Sequence, residues 1–167
     1  MIRFALVAVS LLSAAFAVAA PGGAAEATNI DYGGFQALTQ DVHAYRANRL
    51  VTHAQFQAMA REPKTIILDA RSAAAFAQGH IDGAINLAFT DFTAQSLADT
   101  IGDPNTRILI YCNNNFSNNA PPVMLKARPL ALNIQTFINL YGYGFRNVYE
   151  LGETVNFNDP AVHWVRG

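Results

Sequence analysis

The stretch Arg107-Ile108-Leu109-Ile110-Tyr111-Cys112, followed by Asn113-Asn114-Asn115-Phe116-Ser117-Asn118-Asn119, constrains this chain more than any other. The apolar run from Ile108 to Tyr111 predicts a buried strand, and it ends at the chain's only cysteine. A polar, asparagine-rich loop comes next, and a helical pattern begins further on. A cysteine at the C-terminal end of a strand, under a loop that leads to a helix, sits where backbone N–H groups can converge on an anion. That placement suits a reactive thiolate. An inert, buried cysteine is the competing outcome, and position alone does not separate the two.

Arg3 is followed by an apolar or small run from Phe4 to Val18, broken only by Ser10 and Ser13. Ala17-Val18-Ala19 offers a small-x-small cleavage site, and Pro21-Gly22-Gly23 stops any helix behind it. This pattern predicts a secretory signal peptide over 1–19, with Ala25-Glu26-Ala27 as a second possible cleavage site. The run is short for a membrane span, which needs about 20 residues. The expectation is an exported protein, periplasmic or secreted, with no membrane attachment after cleavage. The formal charge is −1. A near-neutral chain without a basic stripe does not read as a nucleic-acid binder.

One cysteine allows no internal disulfide, so in an oxidising compartment the thiol is there for another reason. His43, His53, His80 and His163 lie far apart, with no second cysteine. No metal site and no cofactor are expected.

Along the chain, 20–49 reads as a leader and an N-terminal helix, with Phe35, Leu38, Val42 and Tyr45 on one face from Phe35 to Leu50. Val51 ends a short strand, and Thr52 caps a helix from His53 to Ala60, stopped by Glu62-Pro63. Thr65 to Asp69 is a second buried strand. Ser72 caps a short helix that Gly79 ends. Ala84 to Leu87, after the Asp82-Gly83 turn, is a brief strand, and Phe92 to Ile101 a helix. Leu130 to Tyr141 is a further helix and Asn147 to Glu150 a last strand. Strands alternating with helices predict an α/β fold with a parallel sheet covered on both faces. Ligands bind such sheets at the carboxyl ends of the strands, where both Asp69 and Cys112 fall.

Leu68-Asp69-Ala70-Arg71-Ser72, then Phe76, Gly79-His80-Ile81 and Gly83-Ala84-Ile85-Asn86 follow one another in a pattern that resembles the rhodanese-like domain family. The strand ending Tyr111-Cys112 and the segment Gly144 to Leu151 continue the resemblance, which covers residues 50–152 and leaves 153–167 as a C-terminal tail. It implies a small parallel five-stranded sheet flanked by helices. It also implies sulfur transfer: a sulfane sulfur passes from a small sulfur anion or persulfide donor onto Cys112, and the persulfide then passes to a thiol acceptor or protein partner. The amides of Asn113, Asn114, Asn115, Phe116 and Ser117 would cradle the anion. The asparagine side chains either join in or merely form solvated turns. Asp69 and Arg71 read as a structural pair, with Arg71 also a secondary site candidate. Phe116 either walls the site or caps the core.

Four departures stand out, one being that the family's usual tryptophan-bearing C-terminal helix is not evident, with Trp164 in a tail after Asp159-Pro160. Asp82 stands where the family usually has proline. No arginine or lysine lies between Cys112 and Lys126, and the insertion 118–129 precedes the next helix. Lys126 and Arg128 in that insertion are either solvated or folded over the loop. A free cysteine titrates at about 8.5, and lowering it by two units takes roughly 2.7 kcal/mol. A helix dipole supplies about 0.3–1 kcal/mol, and one or two loop N–H donors at about 1.5–3 kcal/mol each would supply the rest. The expectation is therefore a thiol pKa below that of free cysteine. A non-catalytic anion- or protein-binding module is the alternative. The fold also carries phosphatases and arsenate reductases, but their arginine about six residues past the cysteine, needed for charge stabilisation, is here Asn118.

Overall fold

The computed structural model describes residues 29–166. The expected signal peptide over 1–19 lies outside the described residues. Residues from Tyr32 onward form one compact unit. Among the described residues no helix is long and apolar enough to cross a membrane.

The N-terminal helix, α1, runs Tyr32–Arg46 and stops before the expected Leu50, because Leu50–Val51 is taken up as strand β1. Helix α2 (His53–Ala60) starts where Thr52 predicts, with Thr52 and Gln55 capping each other's backbone. Strand β2 (Thr65–Asp69), helix α3 (Ala73–Gln78, capped by Ser72) and strand β4 (Ala84–Asn86) follow, with a two-residue β3 (His80–Ile81) before β4. Helix α4 (Ala94–Ile101) begins two residues later than expected, since Thr93 and Ser96 form its capping box. Strand β5 (Arg107–Tyr111) delivers Cys112. Helix α5 (Leu132–Gly142) also begins late: Arg128–Leu130 form a separate 3-10 turn around Pro129, and Ala131 is extended. Strand β6 is Val148–Leu151.

The sheet has five parallel strands in the order β1-β6-β5-β2-β4. β5 is central and the period-2 alternation of its side chains feeds two cores. Ile108 and Ile110 join Leu68 and Val148 under α1, α4 and α5. Leu109 and Tyr111 join Ile67 and Phe56 on the face that α2 covers.

The described part of the C-terminal tail, 153–166, packs back on the domain. Trp164–Val165 form β7, antiparallel to β3. Trp164 packs so closely on Gly79 that a Cβ there would sit 2.4 Å from the indole Nε1. Strands of two residues carry no periodicity, so neither was visible beforehand.

Candidate active site at the end of the central strand

Alternation decides which way the cysteine faces. Residues 108, 110 and 112 of one strand share a side, so Cys112 points with Ile108 and Ile110 toward α5. Glu150 does the same on β6, where it pairs in register with Ile110 and follows the inward Val148. A thiol and a carboxylate are thus delivered to the same face, beneath the first turn of α5.

That turn has no side-chain cap: Ala131 stands at the N-cap position. The unpaired N–H groups at a helix start need a partner. The backbone amides of Leu132, Asn133 and, from the loop, Asn114 lie near enough to the Cys112 sulfur to favour its thiolate, and the Asn115 N–H faces it as well. The thiol is 2% exposed. Burial pushes its pKa up from the ordinary value; the Asn133 and Asn114 amides pull it down, Glu150 pushes it up and the Leu132 amide pulls it down, and the balance is upward. The expected lowered pKa is therefore corrected. The amides are present, but desolvation outweighs them, and two of them, Leu132 and Asn133, come from the helix rather than the loop.

The loop amides beyond Asn115 are engaged elsewhere. Phe116 N–H bonds Asn113 O and Ser117 N–H bonds Val155 O. Phe116 is fully buried among Tyr111, Phe157 and Trp164, so it belongs to the core while its edge borders the cleft. The asparagine side chains work as clips. Asn113 Nδ2 holds Met124 O at 2.8 Å. Asn114 pairs with both main-chain groups of Lys126, at 2.8 and 3.1 Å. Asn119 Oδ1 accepts from Leu125 N–H at 3.1 Å. These bonds strap the insertion across the cysteine loop. Asn113, Asn114 and Asn115 have ordinary negative φ; the left-handed residue is Asn119, at 42°.

A cleft of about 530 Å³ opens beside the sulfur, bordered by Cys112, Asn133, Glu150, Arg46, Leu125 and Arg128. The cation missing from the loop is therefore carried to the cleft by the insertion, as Arg128, while Lys126 borders a separate cleft of about 560 Å³ with Arg71 and Phe89. Glu150 is held by Arg46, Nε to Oε2 at 2.5 Å and Nη2 to Oε1 at 2.8 Å. Asn133 Nδ2 donates to Glu150 Oε1 at 3.2 Å and to Asn115 Oδ1 at 3.0 Å. Asn115 Oδ1 in turn accepts Cys112 N–H at 2.9 Å. Arg46, Glu150, Asn133 and Asn115 thus form a continuous chain ending at the cysteine backbone. Sequence reasoning missed Arg46, Asn133 and Glu150. The one available signal was an inward-facing acid at an even position from Val148.

Asp69 and Arg71 lie at the neighbouring strand end and stay out of this cleft. Arg71 bonds Asp69 through Nε at 2.9 Å and Nη2 at 2.5 Å, and Gly79 O at 2.8 Å. Tyr111 Oη donates to Asp69 Oδ2 at 2.6 Å. The guanidinium lies over the rings of Tyr111 and Trp164. Burial and the Asp69 carboxylate hold the Tyr111 hydroxyl well above its usual pKa. His80 Nδ1 meets Phe76 O at 2.9 Å, and its ring stacks on Phe76. Asn118, where a phosphatase loop would carry arginine, bonds Asn156 Oδ1 and Phe157 N–H.

The family model described as Rhodanese-like domain matches residues 52–153. No curated protein matches the chain. Among solved structures, a Bacillus halodurans protein is 16% identical over 71% of this chain and 77% of its own, with a TM-score of 0.49. A rhodanese with anions from E. coli is 21% identical over 62% of this chain and 99% of its own, with a TM-score of 0.42. A thiosulfate sulfurtransferase from Pseudomonas aeruginosa is 20% identical over 80% of this chain and 23% of its own, with a TM-score of 0.49.

Proposed function

This chain belongs to the rhodanese-like domain family, and on that premise we propose that it is a sulfurtransferase that carries sulfane sulfur on Cys112 and hands it to a thiol. The observation that carries this reading is the uncapped start of α5, whose Leu132 and Asn133 amides meet the Cys112 sulfur. A helix start holds an anion well. The charge to be held is that of the loaded or departing sulfur.

The resting thiol is neutral, because burial raises its pKa. Loading therefore needs a donor that takes up the thiol proton as it leaves: Cys112–SH and R–S–SH give Cys112–S–SH and R–SH. A persulfide or polysulfide meets that need. Thiosulfate brings two negative charges to a cleft whose Arg46 is already paired with Glu150, which leaves Arg128 to meet them. Thiosulfate is accordingly the poorer donor.

The burial of the thiol also favours a second reading, a non-catalytic anion- or protein-binding module. Intact mass separates the two. The gain of one sulfur atom on Cys112 after incubation with polysulfide, absent in Cys112→Ser, supports the carrier. A folded protein that gains nothing from any sulfur donor sinks it and favours the module. The apolar N-terminal run supports export to the periplasm or beyond; the native protein should then begin near Ala20 or Thr28, and an intact Met1 on N-terminal sequencing would refute export.

A further inference from the structure

Asn133 is 3% exposed and borders the Cys112 cleft, yet its Oδ1 receives no hydrogen bond from the described residues. Its orientation follows from a chain of forced choices. The Leu151 and Glu153 carbonyls only accept, so the Asn115 amino group faces them, at 2.7 and 3.1 Å. Asn115 Oδ1 then takes Cys112 N–H and Asn133 Nδ2. Asn133 Nδ2 also meets Glu150 Oε1. Turning the Asn133 amide over would set oxygen against oxygen at both contacts. A buried amide oxygen left without a donor is costly, and this one stands at the cleft beside the reacting sulfur.

Its neighbours point to the same kind of ligand. Glu150 lies behind Asn133, and Glu153 borders the same cleft. Arg46 answers Glu150, so two carboxylates face two arginines on the lining, and Arg128 is, among the described residues, the cation left without an ion pair there. The group that fits beside Asn133 Oδ1 donates hydrogen bonds and carries positive or no charge. Resting on the sulfur-transfer reading above, we propose that Asn133 Oδ1 receives the ammonium or N–H group of a small aminothiol, and so selects the molecule that accepts sulfur from Cys112. The acceptor thiolate attacks the outer sulfur of the Cys112 persulfide and forms a new S–S bond. The old S–S bond breaks, its electron pair stays on Cys112 as thiolate beside the Leu132 and Asn133 amides, and the persulfide proton leaves with the transferred sulfur.

The test is single-turnover discharge of persulfide-loaded protein to three thiols, each rate taken per thiolate present. Cysteamine carries thiol and ammonium. Thiocholine keeps the charge but has no N–H. 3-Mercaptopropionate has neither. Cysteamine should discharge the protein about tenfold faster than either, about 1.4 kcal/mol. In Asn133→Leu, with rates taken on the fraction that loads, the ratio of the cysteamine rate to the thiocholine rate should fall to about one. The substitution strands no partner, since Asn115 Oδ1 keeps Cys112 N–H and Glu150 keeps Arg46. Equal rates in the native protein would overturn the inference, and so would thiocholine matching cysteamine, which would make charge alone the selector. A preference that survives in Asn133→Leu also overturns it. Failure of Cys112 to load at all overturns both the transfer reading and this inference; loading with undifferentiated discharge overturns only the inference.

Discussion

The two strands that flank the central β5 each carry, at or near the carboxyl end, a buried carboxylate paired with arginine, and the pairs differ in almost every other respect. At the end of β2, Asp69 and Arg71 are two residues apart, both almost wholly buried, and packed against Tyr111 and Trp164. On β6, Glu150 is answered from 104 residues away by Arg46, which keeps 35% of its side chain in water. The first pair closes a strand end. The second borders a cleft with a thiol and an unanswered amide oxygen. Arg71 Nη1 also lacks a partner among the described residues, and Arg71 borders a second cleft, so neither a buried ion pair nor an incomplete bond marks a site by itself; what the Glu150 end adds is the thiol on the same cleft.

The comparison can be broken most sharply at the β2 end. Arg71→Ala leaves the wholly buried Asp69 carboxylate without its counter-charge, and should cost about 3–5 kcal/mol. Urea denaturation measures this, and a midpoint unchanged from the parent would mean the pair is not structural. At the β6 end, Glu150→Gln should change stability by only about 1 kcal/mol, since Arg46 can turn to solvent. Its larger effect is chemical. Removing the carboxylate removes one upward push on Cys112, so the pH profile of iodoacetamide alkylation should move to lower pH, and an unmoved profile would uncouple the two residues.

The smallest effect sharpens the picture of the thiol itself. A folded-state pKa above the unfolded value means the native protein keeps a proton that the unfolded chain gives up. The stabilisation is complete below about pH 8.5, the unfolded cysteine value, and is lost as pH rises through the folded value. Urea midpoints of the parent should therefore fall over that range relative to Cys112→Ser, which cannot titrate there. Parallel curves would show that burial does not govern the thiol.

The sheet was legible because it is written in short-range terms. Ile66–Leu68 and Ile108–Tyr111 are uninterrupted apolar runs, and Thr52 and Ser72 announce helix starts by their own side chains. Cys112 was legible for the same reason: it ends a strand. The rest of the site is built from distant segments. Nothing local to Arg46 or Asn133 says that they meet at Glu150. The thiol's pKa was misjudged because counting donors is possible from sequence, whereas the depth of burial is not. The asparagine loop read as an anion cradle, yet much of its amide chemistry is given to holding the insertion.

The position of α1 bears on portability. The family match begins at residue 52, after both Arg46 and the edge strand Leu50–Val51. A version trimmed to the shared boundaries would bare the hydrogen-bonding edge of β6 and leave Glu150 buried without its cation. Grafting this domain elsewhere, or borrowing its cleft for a fusion protein, would have to start upstream of the recognisable unit. The modular boundary seen by comparison and the boundary that keeps the cleft whole are different places on the chain.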